Sequence, residues 1–173
     1  MSIQSFTEEM KKLGVHVSNV KSMGLLSLKY NKGECTFEDP RTYFCRGLIL
    51  DATNFQPVCV PPGKSLKFPI LITAVQDKWS DVIIEEFVDG TMINVFYFNG
   101  DWHISTRSKI GAKCKWYSDK KFSEMFEEAK GGLDFDKLNP ELSYSFVLRH
   151  PENRIVTEYK NADLVLVEVR KVY

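Results

Sequence analysis

No sign of charge dominates this sequence. Its 23 lysines and arginines are matched by 23 aspartates and glutamates over 173 residues. Bulk charge therefore excludes a protein that coats duplex nucleic acid electrostatically and leaves a local basic patch as the only charged route to phosphate. No apolar run approaches the roughly 20 residues that span a bilayer, and the opening MSIQSFTEEMKKLG lacks the basic-then-apolar layout of a secretory signal. Cys35, Cys45, Cys59 and Cys114 form no CxxC pair, so reduced thiols are expected, with neither a disulfide framework nor a zinc site. The expectation is a soluble, cytoplasmic protein with no membrane contact and no bound metal.

Apolar residues make up 43% of the chain, enough for a packed core, and a chain of this length buries about two-thirds of its unfolded surface. Residues 1–173 read as a single domain without repeats or linkers. SFTEEMKKLG predicts a short helix over about 5–13, with Thr7, Glu8 and Glu9 in its first turn, Lys11 and Lys12 in its last, and Gly14 ending it. GLLSLKY, RGLILDAT and PVCVPPGKSLKF follow as short apolar runs between turn residues, the pattern of strands, with a bend at Pro61, Pro62 and Gly63.

MINVFYFNGDWHISTRS predicts a β-hairpin, because Asn99 and Gly100 accept the positive φ angles of a tight turn. Its first strand is apolar on both faces, as a strand covered on two sides should be, and its second alternates. The period then changes. Phe122, Met125, Phe126 and Ala129 fall at helical spacing and make one apolar stripe, ended by Gly131 and Gly132. LSYSFVLRH and ADLVLVEVRKVY return to strands, the latter with Val165, Val167 and Val169 on one face.

Three segments, in order, resemble the phage-type RNA ligases of the covalent nucleotidyltransferase superfamily. YFCRGLILD is similar to that family's upstream Arg-Gly strand. EEFVDGTMINVFYFNGDWHISTRSKIG is similar to its KxDG strand, hairpin and return strand, and YSFVLRHPENRIVTEY to its FELVSPxNRIV segment. The resemblance runs from about Gly24 onward. It implies an α+β nucleotidyltransferase-like core of mainly antiparallel sheets with a helix packed on each side.

It also implies a chemistry in which a lysine amine attacks the α-phosphate of ATP to form a lysyl-adenylate, with metal ions and cations stabilising the developing charge. Here the sequence departs. With Asp89 and Gly90 as the DG pair, Phe87 stands at the lysine position, and counting back from Pro151, Asn153, Arg154, Ile155 and Val156 places Val147 where the family carries its glutamate. The chain also ends before the family's later Glu-bearing and Lys-rich strands, so a core cut short at its carboxyl end is expected, with an open sheet edge at ADLVLVEVRKVY and pairing there with a second copy or a partner subunit.

The expected function is accordingly that of a catalytically inactive RNA ligase-like protein, needing no cofactor, that binds RNA or a protein partner. Two alternatives stand beside it. One is an active ATP-dependent and Mg-dependent ligase or adenylyltransferase using Lys64, Lys67, Lys78 or Lys109 as a relocated nucleophile. The other is a protein that binds or sequesters an adenine nucleotide. Phe87 and Val147 are expected to pack as core, or Phe87 to stack on a base. Candidate nucleotide-binding residues are Phe87, Asp89, Gly90, Phe146 and Arg154. Candidate RNA-binding residues are Arg46, Arg107, Lys109, Lys113, Lys115 and Trp116, most of them in the basic run TRSKIGAKCKW. His103, His150 and Asn153 are expected to serve structure.

Overall fold

A computed structural model describes residues 1–76 and 78–172. It contains two antiparallel four-stranded sheets. The first has the order β1(Val15–Val20), β2(Leu25–Tyr30), β3(Arg46–Asp51), β4(Pro57–Cys59); the second has β6(Asp101–Thr106), β5(Thr91–Phe98), β7(Leu142–Arg149), β8(Asp163–Lys171). Three α-helices accompany them: α1(Ile3–Lys12), α2(Phe68–Val75) and α3(Phe122–Ala129).

The burial pattern arranges these elements in layers. Phe6 and Met10 of α1 pack with Val15, Leu26, Leu28 and Leu50 on the outer face of the first sheet. The stripe Phe122, Met125, Phe126 and Ala129 of α3 packs on Ile93, Val95, Tyr144, Phe146 and Leu148 of the second. Between the sheets lie Leu25, Ile49, Cys59 and Phe96, and Ser143 ties them by accepting from the Val60 N–H at 3.2 Å and donating to its carbonyl at 3.3 Å. The α+β architecture with a helix on each side is thus borne out, as is the expectation that β5 is covered on two faces.

Local chemistry accounts for the boundaries. The hairpin forms as its turn residues predict, with Asn99 at φ 51° and Gly100 at φ 91° joining strands paired from Ile93–Thr106 to Phe98–Asp101. Helix α1 starts two residues earlier than its sequence suggests. The Ser2 hydroxyl accepts from the Ser5 N–H at 3.1 Å and caps it, so Thr7 is an interior residue whose hydroxyl donates to the Ile3 carbonyl. Strand β1 and helix α2 were not foreseen; α2 has no buried side chain.

Two further expectations are corrected. EEFVDG forms no strand, since β5 begins only at Thr91. On β8, Ser145 faces Glu168 while Phe146 faces Leu166, so Val167 is an extra bulged residue, and alternation reverses there. Val165 opposes Val147 and Val169 opposes Tyr144, which places the two valines on opposite faces. The strand does lie at the open edge of its sheet; Tyr173, the last residue of the predicted run, lies outside the described residues.

Candidate functional site

The DG segment and the PENRIVTEY segment, far apart in sequence, are joined by a compact set of hydrogen bonds. The Asp89 carboxylate accepts from the backbone N–H of Val156 at 2.9 Å and of Thr157 at 2.7 Å. The Tyr159 hydroxyl donates to the Asp89 carbonyl at 2.9 Å, and buried Asn153 donates to the Thr91 hydroxyl at 2.8 Å. The amide donors hold the Asp89 carboxyl below its ordinary pKa. Gly90, at φ 148°, lies against β7: a Cβ there would stand 2.5 Å from the Leu148 carbonyl oxygen and 2.7 Å from Val147 Cγ1. The DG pair therefore has a structural use, as a clasp and a close approach.

Around that clasp the predicted nucleotide set does not assemble. Phe87 is 94% exposed; it lies in the irregular stretch before β5, where no strand alternation turns it inward, so the expected core packing is absent for it. Val147, by contrast, is buried at 5%, facing Gly90 and paired with Met92 and Val165. Phe146 points away from both, into the core under α3. Arg154 is exposed, donating from Nε to the Val156 carbonyl at 3.5 Å and lying 4.0 Å from Glu158, and it borders an open depression of about 410 Å³ with Tyr117 and Pro151. Asn153 serves structure as expected, bonding the segment after β7 to the start of β5.

The lysyl-adenylate chemistry implied by the family does not fit these residues. A phenyl ring has no lone pair to attack phosphorus, and an isopropyl group cannot bind a metal ion or accept a proton. Of the relocated candidates, Lys64 donates to the Ser65 carbonyl and lies 4.8 Å from the Phe37 ring centroid, and Lys67, Lys78 and Lys109 are exposed. Among the described residues no cluster of three or more His, Cys, Asp or Glu could hold a metal ion, and no helix is long and apolar enough to cross a membrane.

The predicted RNA set divides into two groups. Arg46 and Arg107 come together where β3 begins and β6 ends: a Cβ on Gly47 would be 3.2 Å from the Arg107 Cα. Arg46 donates to the Tyr30 hydroxyl at 3.2 Å and lies 5.6 Å from that ring's centroid. Arg107 remains exposed at the surface, yet desolvation and then the like charge of Arg46 lower its pKa. Beside them Asn94 is fully buried, and its Nδ2 has no hydrogen-bond partner among the described residues. Lys109, Lys113, Lys115 and Trp116 instead line a surface loop. Lys115 is paired with Asp119 at 3.0 Å, and Trp116, 66% exposed, meets the Tyr117 ring edge-on at 5.6 Å.

Tyr30, Asn94 and Tyr117 were missed from the sequence. Tyr117 directly follows Trp116 and was legible as an extension of the same run, whereas Asn94 sits within an apolar strand and carries no signal of its own. His150 is buried, with Nδ1 accepting from the Glu152 N–H at 3.1 Å and Nε2 2.9 Å from Glu128, and His103 Nε2 lies 3.1 Å from the Phe98 carbonyl; both serve structure.

Comparison with known proteins bears on this arrangement. No protein-family profile matches the chain. It is 26% identical over 170 residues to a protein of Autographa californica nuclear polyhedrosis virus named as a bifunctional polynucleotide kinase/RNA ligase, covering 86% of this chain and 24% of that one. It is 25% identical over 206 residues to an RNA ligase of Rhodothermus phage RM378, covering 95% of this chain and 45% of that one. The chain is RNA ligase-like. A solved ATP-dependent DNA ligase of Aquifex aeolicus superposes with a TM-score of 0.59 at 18% identity, over 99% of this chain and 43% of its own, so the ligase-like chain has a nucleotidyltransferase-type fold. It spans less than half the length of each of these proteins.

Proposed function

We propose that this ligase-like chain binds RNA without joining it. The observation that carries the reading is the pair of residues at the positions where the family places its nucleophile and its carboxylate. Phe87 stands in solvent and Val147 is buried beside Gly90, so neither position offers an attacking amine or a metal-binding oxygen. At the buried Val147 position apolar replacement is what a fold retained for binding would show, since an unpaired buried Glu costs several kcal/mol; at exposed Phe87 the reading rests on the missing amine alone.

RNA is favoured over a protein partner by the Arg46 and Arg107 pair. Two guanidinium groups held close, with no ion pair to either among the described residues, suit an anion. The open edge of β8 is a weaker platform for pairing with another chain. A bulge at Val167 and the neighbouring charges of Glu168, Arg170 and Lys171 interrupt its ladder, and both devices disfavour strand addition.

Incubation with ATP labelled at the α-phosphate and with Mg²⁺, followed by denaturing electrophoresis, tests the inactive half of the reading. The expected result is no labelled protein. A covalent adenylate on any lysine would overturn it. Saturable binding of labelled single-stranded RNA, with no joined product, is the expected companion result.

A further inference from the structure

A row of basic residues crosses three adjacent strands of the first sheet. In the pairing of β1 with β2, His16 stands opposite Lys29; in the pairing of β2 with β3, Lys29 stands opposite Arg46. Like charges directly opposite one another destabilise a sheet, so packing gives no reason for this row. Among the described residues, none of these side chains pairs with a carboxylate. His16 has one polar neighbour, the Ser18 hydroxyl at 3.2 Å.

The row borders an open groove beside α1. A groove of about 750 Å³ runs from α1 over the ends of β1 and β2, with Lys11, His16, Lys29, Lys32 and Arg46 around it and Glu34 as its one carboxylate. Lys11 has a structural use, since it stands in the last turn of α1 and complements the helix dipole. Lys29 and Lys32 have no such use, and Arg46 is held by the Tyr30 hydroxyl and ring with no carboxylate to neutralise it among the described residues. In a chain whose formal net charge is zero, this is a local concentration of unpaired positive charge.

We infer that this groove is a binding site for the phosphodiester backbone of single-stranded RNA, which runs along the His16, Lys29 and Arg46 row toward Arg107. The inference rests on the reading that the chain binds RNA and adds the path the RNA takes. Neighbouring strands lie roughly 5 Å apart, so the cations Lys29 and Arg46 on adjacent strands, with the His16 ring on the third, span more than one phosphate and suit a succession of them. Tyr30, the aromatic residue of the groove, is buried at 6% and offers no open ring for stacking. Recognition would therefore read the backbone and tolerate any sequence.

Fluorescence anisotropy of a labelled oligouridylate, measured over a series of salt concentrations, tests the path. Lys29→Ala with Lys32→Ala is expected to weaken binding about tenfold and to make the slope of log K against log salt shallower by about 1.4, since each contact with a single strand contributes about 0.7. Lys137→Ala, in a lysine on a different part of the surface paired with Asp134, is expected to change neither. Lys29→Ala alone should melt no lower than the wild type, because it relieves repulsion within the row; a clear fall would make Lys29 a structural residue and overturn the inference. Wild-type binding with an unaffected double variant would overturn the groove and leave the RNA reading standing. No binding by the wild type would overturn both. Tighter binding of duplex than of single-stranded RNA would overturn the single-strand assignment.

Discussion

The carboxylate of Asp89 lies 2.7 Å from the backbone N–H of Thr157, across 68 residues of sequence. That bond and its neighbour to Val156 hold the segment before β5 against the segment after β7. Asp89→Ala removes both acceptors. With solvent screening of a partly exposed carboxylate, the expected loss is about 1 kcal/mol, a fall of about 2–4 °C in melting temperature for a chain of this size.

The same contact sets an acid dependence. The folded-state pKa of Asp89 is depressed by its amide donors, so the unfolded chain binds its proton first as pH falls. The stabilisation is fully present above the unfolded carboxylate value and is lost as pH drops through the lower folded value. Thermal melts of the wild type and of Asp89→Asn should therefore differ at neutral pH and converge at the acid end.

Gly90 should tolerate no side chain. Gly90→Ala would place a methyl 2.5 Å from a backbone carbonyl at a φ of 148°, and the expected cost is at least about 2 kcal/mol in urea unfolding. Gly100→Ala is the comparison. Its φ is also positive, but nothing lies within 4 Å of the added atom, so only the conformational cost of about 1 kcal/mol applies.

These two residues show what was legible in the sequence and what was not. The hairpin, the α3 stripe and five of the six other strands could be read because their signals are local: an Asn-Gly turn, a period of 3.6, and apolar runs between turn residues. VHVSNV, which forms β1, was passed over because its polar residues dilute the apolar alternation, and it is recognisable as a strand only once β2 pairs with it. The bulge at Val167 had no local mark either, since it arises from the register between β7 and β8. At the site, the DG and PENRIV segments were picked out by their residues, and the hydrogen bonds between them could not be read from either segment alone. The side-chain directions were not legible. Phe87 faces solvent because its segment forms no strand, and Phe146 and Val147 point to opposite faces of β7 because successive strand residues must.

Phe87 and Val147 should respond oppositely to restoration of the family's residues. Phe87→Lys exchanges one exposed side chain for another, and stability should stay within about 0.5 kcal/mol of the wild type. Val147→Glu buries a carboxylate next to Gly90, and urea unfolding should show a loss of about 3 kcal/mol. Equal, small effects of both changes would mean that the Val147 position is an open pocket.

Arg107 should show the reverse relation between binding and stability. Its guanidinium is disfavoured by desolvation and by the charge of Arg46, and it forms no ion pair among the described residues that would compensate. A residue held against its neighbour's charge is stabilised when an anion arrives, and is a burden when none is present. Arg107→Ala is therefore expected to raise stability at low ionic strength by at most about 0.5 kcal/mol after screening. The gain should fade as salt shields the pair, while affinity for single-stranded RNA falls. Melting curves and anisotropy titrations on the same preparation would check both halves. A variant that loses stability and retains full affinity would assign Arg107 to the scaffold and remove it from the RNA-binding surface.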